Sequence, residues 1–219
     1  MKRSSRATLL VMVALGVAVA TQLWAFPQFA RQTKASCVTC HANVAGGAEL
    51  NDAGKAFKAD GKAPAASAAK AAEYVGNAKC KMCHMKQFKA WSETQHAKAW
   101  AGLKNTDAKK AGEMATMLKI DLKGSPSTTD GCVTCHVTGF QLAGGFPQAD
   151  STKAAAVSNV TCENCHGPGS LHAAAPMAEK KNFINHAVTA NMCTQCHTPA
   201  ISPKFDFATM SKKVHPVAS

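Results

Sequence analysis

One short pattern, Cys-x-x-Cys-His, uses every cysteine of the 219-residue chain. Its five copies are Cys37, Cys40 and His41; Cys80, Cys83 and His84; Cys132, Cys135 and His136; Cys162, Cys165 and His166; and Cys193, Cys196 and His197. Two thiols three residues apart, followed at once by an imidazole, are suited to covalent haem attachment. The thiols add to the two vinyl groups, and the histidine turns back to the iron as its proximal ligand. Zinc would join such half-sites in pairs, and five is odd. A disulfide framework has no use for a histidine after every second cysteine. The spacing predicts five covalently bound haem c groups, with His41, His84, His136, His166 and His197 as proximal iron ligands.

The chain has nine histidines, and four lie outside the motifs: His96, His172, His186 and His215. Each is a candidate distal ligand to haem iron. Two imidazoles on each of five irons would need ten histidines, so one iron is short. Met114, Met117, Met177, Met192 or Met210 can complete it, although a methionine at such spacing is more often packing. An iron left five-coordinate would take a small ligand such as nitric oxide. A histidine from a second molecule would link chains head to tail, and an open contact of that kind builds a filament.

The elements that position these residues are read as follows. Lys2, Arg3 and Arg6 precede an apolar run from Ala7 to Ala20, with small residues at Ala18, Ala20 and Ala25. This is the layout of a secretory signal peptide, assigned to 1–25 with cleavage after Ala25, or alternatively after Ala20. The run is short for a bilayer span, which needs about 20 apolar residues, and no second such run follows. Export places the mature protein in the periplasm or at the cell surface, with no transmembrane span after cleavage. Residues 26–62 form an N-terminal monohaem segment, with Asn51 capping a helix through Lys58 and with Gly54 and Gly61 as breakers. An Ala/Lys/Pro linker occupies 63–72. Residues 73–219 carry the other four motifs. A helix is expected over Lys86–Lys104 and another over Ala108–Lys119, capped from Asn105, Thr106 or Asp107. Gly167-Pro168-Gly169-Ser170 forces a turn before His172, and Pro176 is expected to start a helix that carries His186.

Removing 25 residues leaves 194 for five haems, about 39 each. That is too little polypeptide for separate cores, and aromatic residues make up only 6%. The expected fold class is mostly α with extensive loops, a multihaem c-type cytochrome whose core is built from stacked haems.

The formal net charge of +12 suggests an anionic partner. Loss of Lys2, Arg3 and Arg6 brings it to +9. Five haems at about −1 each when ferric, or about −2 when ferrous, bring the holoprotein to about +4 oxidised and about −1 reduced. The lysines then read as partners of propionates, and nucleic-acid binding has no support. No acid–base pair, nucleophile or metal site other than haem stands out. The reading is an electron carrier of respiration between redox protein donors and acceptors. The alternatives are a nitric oxide reductase at a five-coordinate haem and, through self-association, a subunit of a conductive cytochrome filament.

Several stretches carry a resemblance. Tyr74-Val75-Gly76 precedes the second motif, and Gln87-Phe88, Trp91 and His96-Ala97 follow it. Gly131-Cys132 opens the third, and Thr138-Gly139-Phe140 succeeds it. The fourth reads Cys162-Glu163-Asn164-Cys165-His166-Gly167-Pro168-Gly169-Ser170, then His172. Together they resemble the tetrahaem cytochrome c-554 family over about two-thirds of the chain. The resemblance implies a mostly helical fold with closely stacked haem pairs and electron transfer in the periplasm. In ammonia oxidisers that family takes electrons from hydroxylamine oxidoreductase. It also implies one five-coordinate haem, by motif order the one at Cys132–His136. The extra N-terminal haem segment departs from the family and resembles the leading module of multihaem cytochromes that respire on extracellular acceptors.

Overall fold

The computed structural model describes residues 27–65 and 67–214. The expected signal peptide and His215 lie outside the described residues. The architecture is helical and loop-rich, and no strand is present among the described residues. Two isolated antiparallel bridges, His41 with Leu50 and Val137 with Ser158, are the sole β pairing described.

The helices are short because each motif is a single turn. Helices α1 (Pro27–Thr33) and α2 (Cys37–Cys40) lead to α3 (Asp52–Asp60). Asn51 caps α3 by accepting from Gly54 N at 2.9 Å, and Gly61 ends it in the left-handed conformation at φ 71°. Gly54 is not a breaker. It lies inside α3 against the Cys40 carbonyl, where a Cβ would collide with backbone. Next come α4 (Asn77–Lys81), α5 (Met85–Ser92), a 3-10 turn (His96–Lys98), α6 (Ala99–Lys104) and α7 (Ala108–Leu118). Asp107 caps α7 through Lys110 N at 2.9 Å. After α8 (Asp130–Val133) and α9 (Ser151–Val157), the fourth motif is α10 (Cys162–His166), and α11 (Ser170–Ala174) carries His172. A 3-10 turn (Lys180–Phe183), α12 (Ala190–Cys193) and α13 (Phe207–Met210) complete the main elements.

Two expected helices are different in the structure. The expected helix Lys86–Lys104 breaks after Ser92. There the Ser92 hydroxyl donates to Lys89 O at 2.6 Å and the Thr94 hydroxyl to Trp91 O at 2.7 Å, bonds that compete with the helical ladder. The break is pinned from outside. Trp91 Nε1 donates to Val160 O at 2.9 Å, and Val160 N donates to His96 O at 3.2 Å. His186 is not helical either. Pro176 opens a turn and a 3-10 segment, and Asn185 N then donates to His166 O at 3.1 Å, which draws the chain out of helical register.

The protein core is thin. Ten apolar residues are buried among the described residues, and three of them are alanine. The main cluster is Leu103, Val133, Val137 and Phe140, with Trp100, Cys132 and Phe146 packed against it. Polar contacts carry much of the remaining order. The side chain of Glu163 is 2% exposed, and its carboxylate accepts from Val75 N at 3.0 Å, Gly76 N at 2.8 Å and Gly169 N at 2.7 Å. Burial raises its pKa, and these same backbone bonds oppose the shift. One carboxylate thereby joins the approach to the second motif to the turn after the fourth. Gly76 must be glycine, because its φ is +80° and a Cβ there would strike Ala156.

Removing an acceptor from buried N–H groups costs about 1–3 kcal/mol for each group left unpaired. Glu163→Ala is therefore expected to lower the thermal unfolding midpoint well below that of Glu163→Gln, which keeps one carbonyl oxygen. Circular dichroism melts of the two variants compare them directly, and equal midpoints would refute the clamp.

Candidate haem-binding site

Each motif presents its two thiols on one face of a turn, because residues three apart lie side by side in a helix. The first motif is held by Asn51, whose amide donates to Val38 O and Thr39 O at 3.2 Å. The second, third and fifth start on α4, α8 and α12 and run into the following turns, and the fourth is α10. Thiols of different motifs meet in pairs. Cys80 and Cys162 interact closely enough that the pKa of Cys80 is raised and that of Cys162 lowered. Cys135 and Cys196 do the same, with Cys135 lowered and Cys196 raised. The second motif is thus beside the fourth, and the third beside the fifth. Burial pushes the Cys165 thiol up to about 12.

Imidazoles also meet in pairs. The rings of His84 and His172 have centroids 6.2 Å apart with 23° between their planes. Those of His96 and His197 are 5.9 Å apart at 52°. Two metal–nitrogen bonds of about 2 Å, end to end, separate ring centres by about 6 Å. Burial lowers the pKa of both His96 and His197, which favours the neutral ring that metals bind. Each pair joins one motif histidine to one outside the motifs.

The other ring nitrogens are also placed. Nδ1 of His136 lies 2.8 Å from Ala99 O, Nδ1 of His166 lies 2.7 Å from Asn185 O, and Nδ1 of His172 lies 2.9 Å from Lys180 O. A carbonyl can only accept, so Nδ1 is the donor in each of these contacts. His197 Nδ1 meets Ser202 Oγ at 3.1 Å, and Phe205 stacks on the same ring at 4.7 Å and 11°. Nδ1 of His41 is buried with no hydrogen-bond partner. Burial lowers its pKa, and the nearby Glu49 and Gly47 backbone opposes this without reaching hydrogen-bond geometry. Among the described residues, no ring contact is present for His41, His136 or His186. His186 lies in the loop after Asn185, whose side chain is within 3.4 Å of Met192 Sδ. Met117, Met177 and Met210 are exposed.

Sequence reasoning assigned no role to Glu163, Thr138, Asn185 or Phe205. Asn185 has the clearest signal, as a polar residue beside a spare histidine. Thr138 is fully buried, and its Oγ1 lies within 3.1 Å of Asn159 O, Thr161 Oγ1, Thr161 N and Asn164 Oδ1. This hub joins the third motif to the fourth.

Residues 79–167 match the family described as cytochrome c554 and c-prime. The cytochrome c-554 of Nitrosomonas europaea is 40% identical over 98 residues, which are 45% of this chain and 40% of that protein. The matched segment therefore spans less than half the length of that curated relative. The solved structure titled as the reduced state of cytochrome c554 from Nitrosomonas europaea aligns with a TM-score of 0.50 and 26% identity. That alignment covers 68% of this chain and 86% of the solved one. The fold is that of a multihaem c-type cytochrome, in which haem is bound covalently.

Thr138→Val keeps shape and removes the hub oxygen. It is expected to cost about 1–3 kcal/mol, read by chemical denaturation of the haem-loaded protein. A change within error would mean that the hub is not structural.

Proposed function

Starting from the match of residues 79–167 to the cytochrome c-554 family, we propose that the chain is an exported pentahaem electron carrier. The observation that carries this reading is the meeting of the His84 ring with that of His172 and of the His96 ring with that of His197, with centroids 6.2 and 5.9 Å apart. Bound haem supplies a one-electron store at iron. The chain's own residues bind, orient and space it. On this reading His84 and His172 hold one iron, and His197 and His96 hold another. His41, His136 and His166 are proximal ligands of the remaining three. His172 reaches its partner from the turn after the fourth motif, so a ligand from one motif's surroundings serves another motif's haem. Lys180 Nζ donates to His172 O at 2.8 Å and Ala173 O at 2.9 Å, which steadies that arm.

The meeting of Cys80 with Cys162, and of Cys135 with Cys196, supports close contact between the second and fourth haems and between the third and fifth. Close contact is what rapid transfer needs. Nδ1 hydrogen bonds fix ring orientation and raise ligand basicity, which tunes potential. Redox proteins are the proposed donors and acceptors. Export rests on residues 1–25, and the proposed segment limits remain 26–62, 63–72 and 73–219.

Two measurements test this. Mass spectrometry with a pyridine haemochrome assay is expected to give five haems per chain, and Cys37→Ala with Cys40→Ala is expected to remove one. His172→Ala and His96→Ala are each expected to convert about one haem from low-spin to high-spin in the absorbance spectrum. Unchanged spectra in both variants would sink the ligand pairs.

A further inference from the structure

Glu163 is the one charged side chain buried among the described residues. It stands between Cys162 and Cys165, the two thiols of the fourth motif, yet its hydrogen bonds go to two other arms of the chain. Val75 N and Gly76 N donate to it at 3.0 and 2.8 Å, and Gly76 immediately precedes α4, the helix that bears Cys80. Gly169 N donates to it at 2.7 Å, three residues before His172. Two further bonds run alongside. Glu73 N donates to Ser170 Oγ at 2.8 Å, and Ser170 N donates to Glu73 O at 3.1 Å. Glycine at 169 lets the carboxylate in, since a Cβ there would lie only 3.2 Å from it. One arm leads into the second motif and His84, and the other leads out of the fourth motif to His172.

We infer that Glu163, although it belongs to the fourth motif, is the positioning residue that keeps His172 on the iron of the second haem. The inference rests on the pairing of His84 with His172 proposed above and adds the residue that sets it. Two imidazoles on one iron each need a metal–nitrogen bond of about 2 Å. Their arms must then stay within about 0.5 Å of that geometry. The helix that carries His172 has five residues and cannot supply this rigidity by itself. It is held at both ends instead. Lys180 holds the far end, through its carbonyl on His172 Nδ1 and its Nζ on His172 O. Glu163 holds the near end. Bonds from N–H groups to a carboxylate are about twice as strong as neutral ones. Because one carboxylate accepts from both arms, their separation becomes a property of a single side chain. Thioether attachment at Cys162 and Cys165 would fix the backbone of that side chain, so the fourth haem would help to set the ligands of the second. The His96 side of the other pair rests on neutral groups, Trp91 and Asn159.

The test compares spin states of haem-loaded variants by absorbance, at a temperature well below each unfolding midpoint. Glu163→Ala is expected to turn about one haem per chain high-spin, and Glu163→Gln a smaller share. Added imidazole is expected to return the Glu163→Ala spectrum to low-spin, because it fills the position that His172 leaves. Glu163→Ala combined with His172→Ala is expected to be no more high-spin than His172→Ala alone. Combined with His96→Ala, it is expected to convert about two haems. Thr138→Val is the control for lost stability, since its hydroxyl bonds go to Asn159, Thr161 and Asn164, and it is expected to keep the spectrum of the unmodified protein. Where Glu163→Ala does not load haem, Glu163→Gln carries the same comparisons. Unchanged spectra in both Glu163 variants overturn the inference. So do further conversion on top of His172→Ala, or equal conversion in Thr138→Val. No conversion by His172→Ala itself would overturn the underlying ligand pair instead.

Discussion

Two imidazoles on one metal must face each other across it, and the proposed pairs, His84 with His172 and His96 with His197, place that demand on distant parts of the chain. His84 ends the second motif, yet its partner ring, His172, stands 88 residues later beyond the fourth motif. The carboxylate of Glu163 spans that gap. It gathers the backbone before the second motif and the backbone before His172 onto two oxygens. A buried carboxylate with three N–H donors is costly to disturb, because each loss leaves a desolvated group unpaired. His96 and His197 impose the same demand over a longer separation. The His96 side is held by the Trp91 indole, which donates to Val160 O, and by the Asn159 side chain, which accepts from Trp100 N, at 2.9 Å each.

The thin apolar core follows from the same economy of chain. Leu103, Val133, Val137 and Phe140 make one small cluster near the third motif, and elsewhere order comes from capping residues and side-chain hydrogen bonds. A buried apolar side chain contributes about 1.5–3 kcal/mol, so a few of them cannot order so many loops. Covalent porphyrins would supply the missing apolar area, and that places folding and cofactor attachment in one process.

What the sequence reveals depends on how local the cause is. The five motifs are readable because attachment needs fixed spacing within one turn. The caps Asn51 and Asp107 are readable because capping is a contact over three residues. The expected helix through Lys86–Lys104 fails for the opposite reason. Its break is pinned by Val160, far along the chain, which local periodicity cannot report. The helix expected to carry His186 fails because Asn185 is drawn to His166. Glu163 looks like an ordinary charge inside a motif, and only the approach of Val75, Gly76 and Gly169 shows its purpose. Which histidine meets which is likewise a tertiary fact: the four spare histidines are visible in sequence, and their partners are not.

The proposed ligand pairs, His84 with His172 and His96 with His197, are tested most directly by electron paramagnetic resonance of the oxidised, haem-loaded protein at low temperature. Two imidazoles on one ferric iron make a strong ligand field. Low-spin signals from at least two haems per chain are expected, with distinct line shapes for ring planes at 23° and 52°. A spectrum that is entirely high-spin would contradict both pairs.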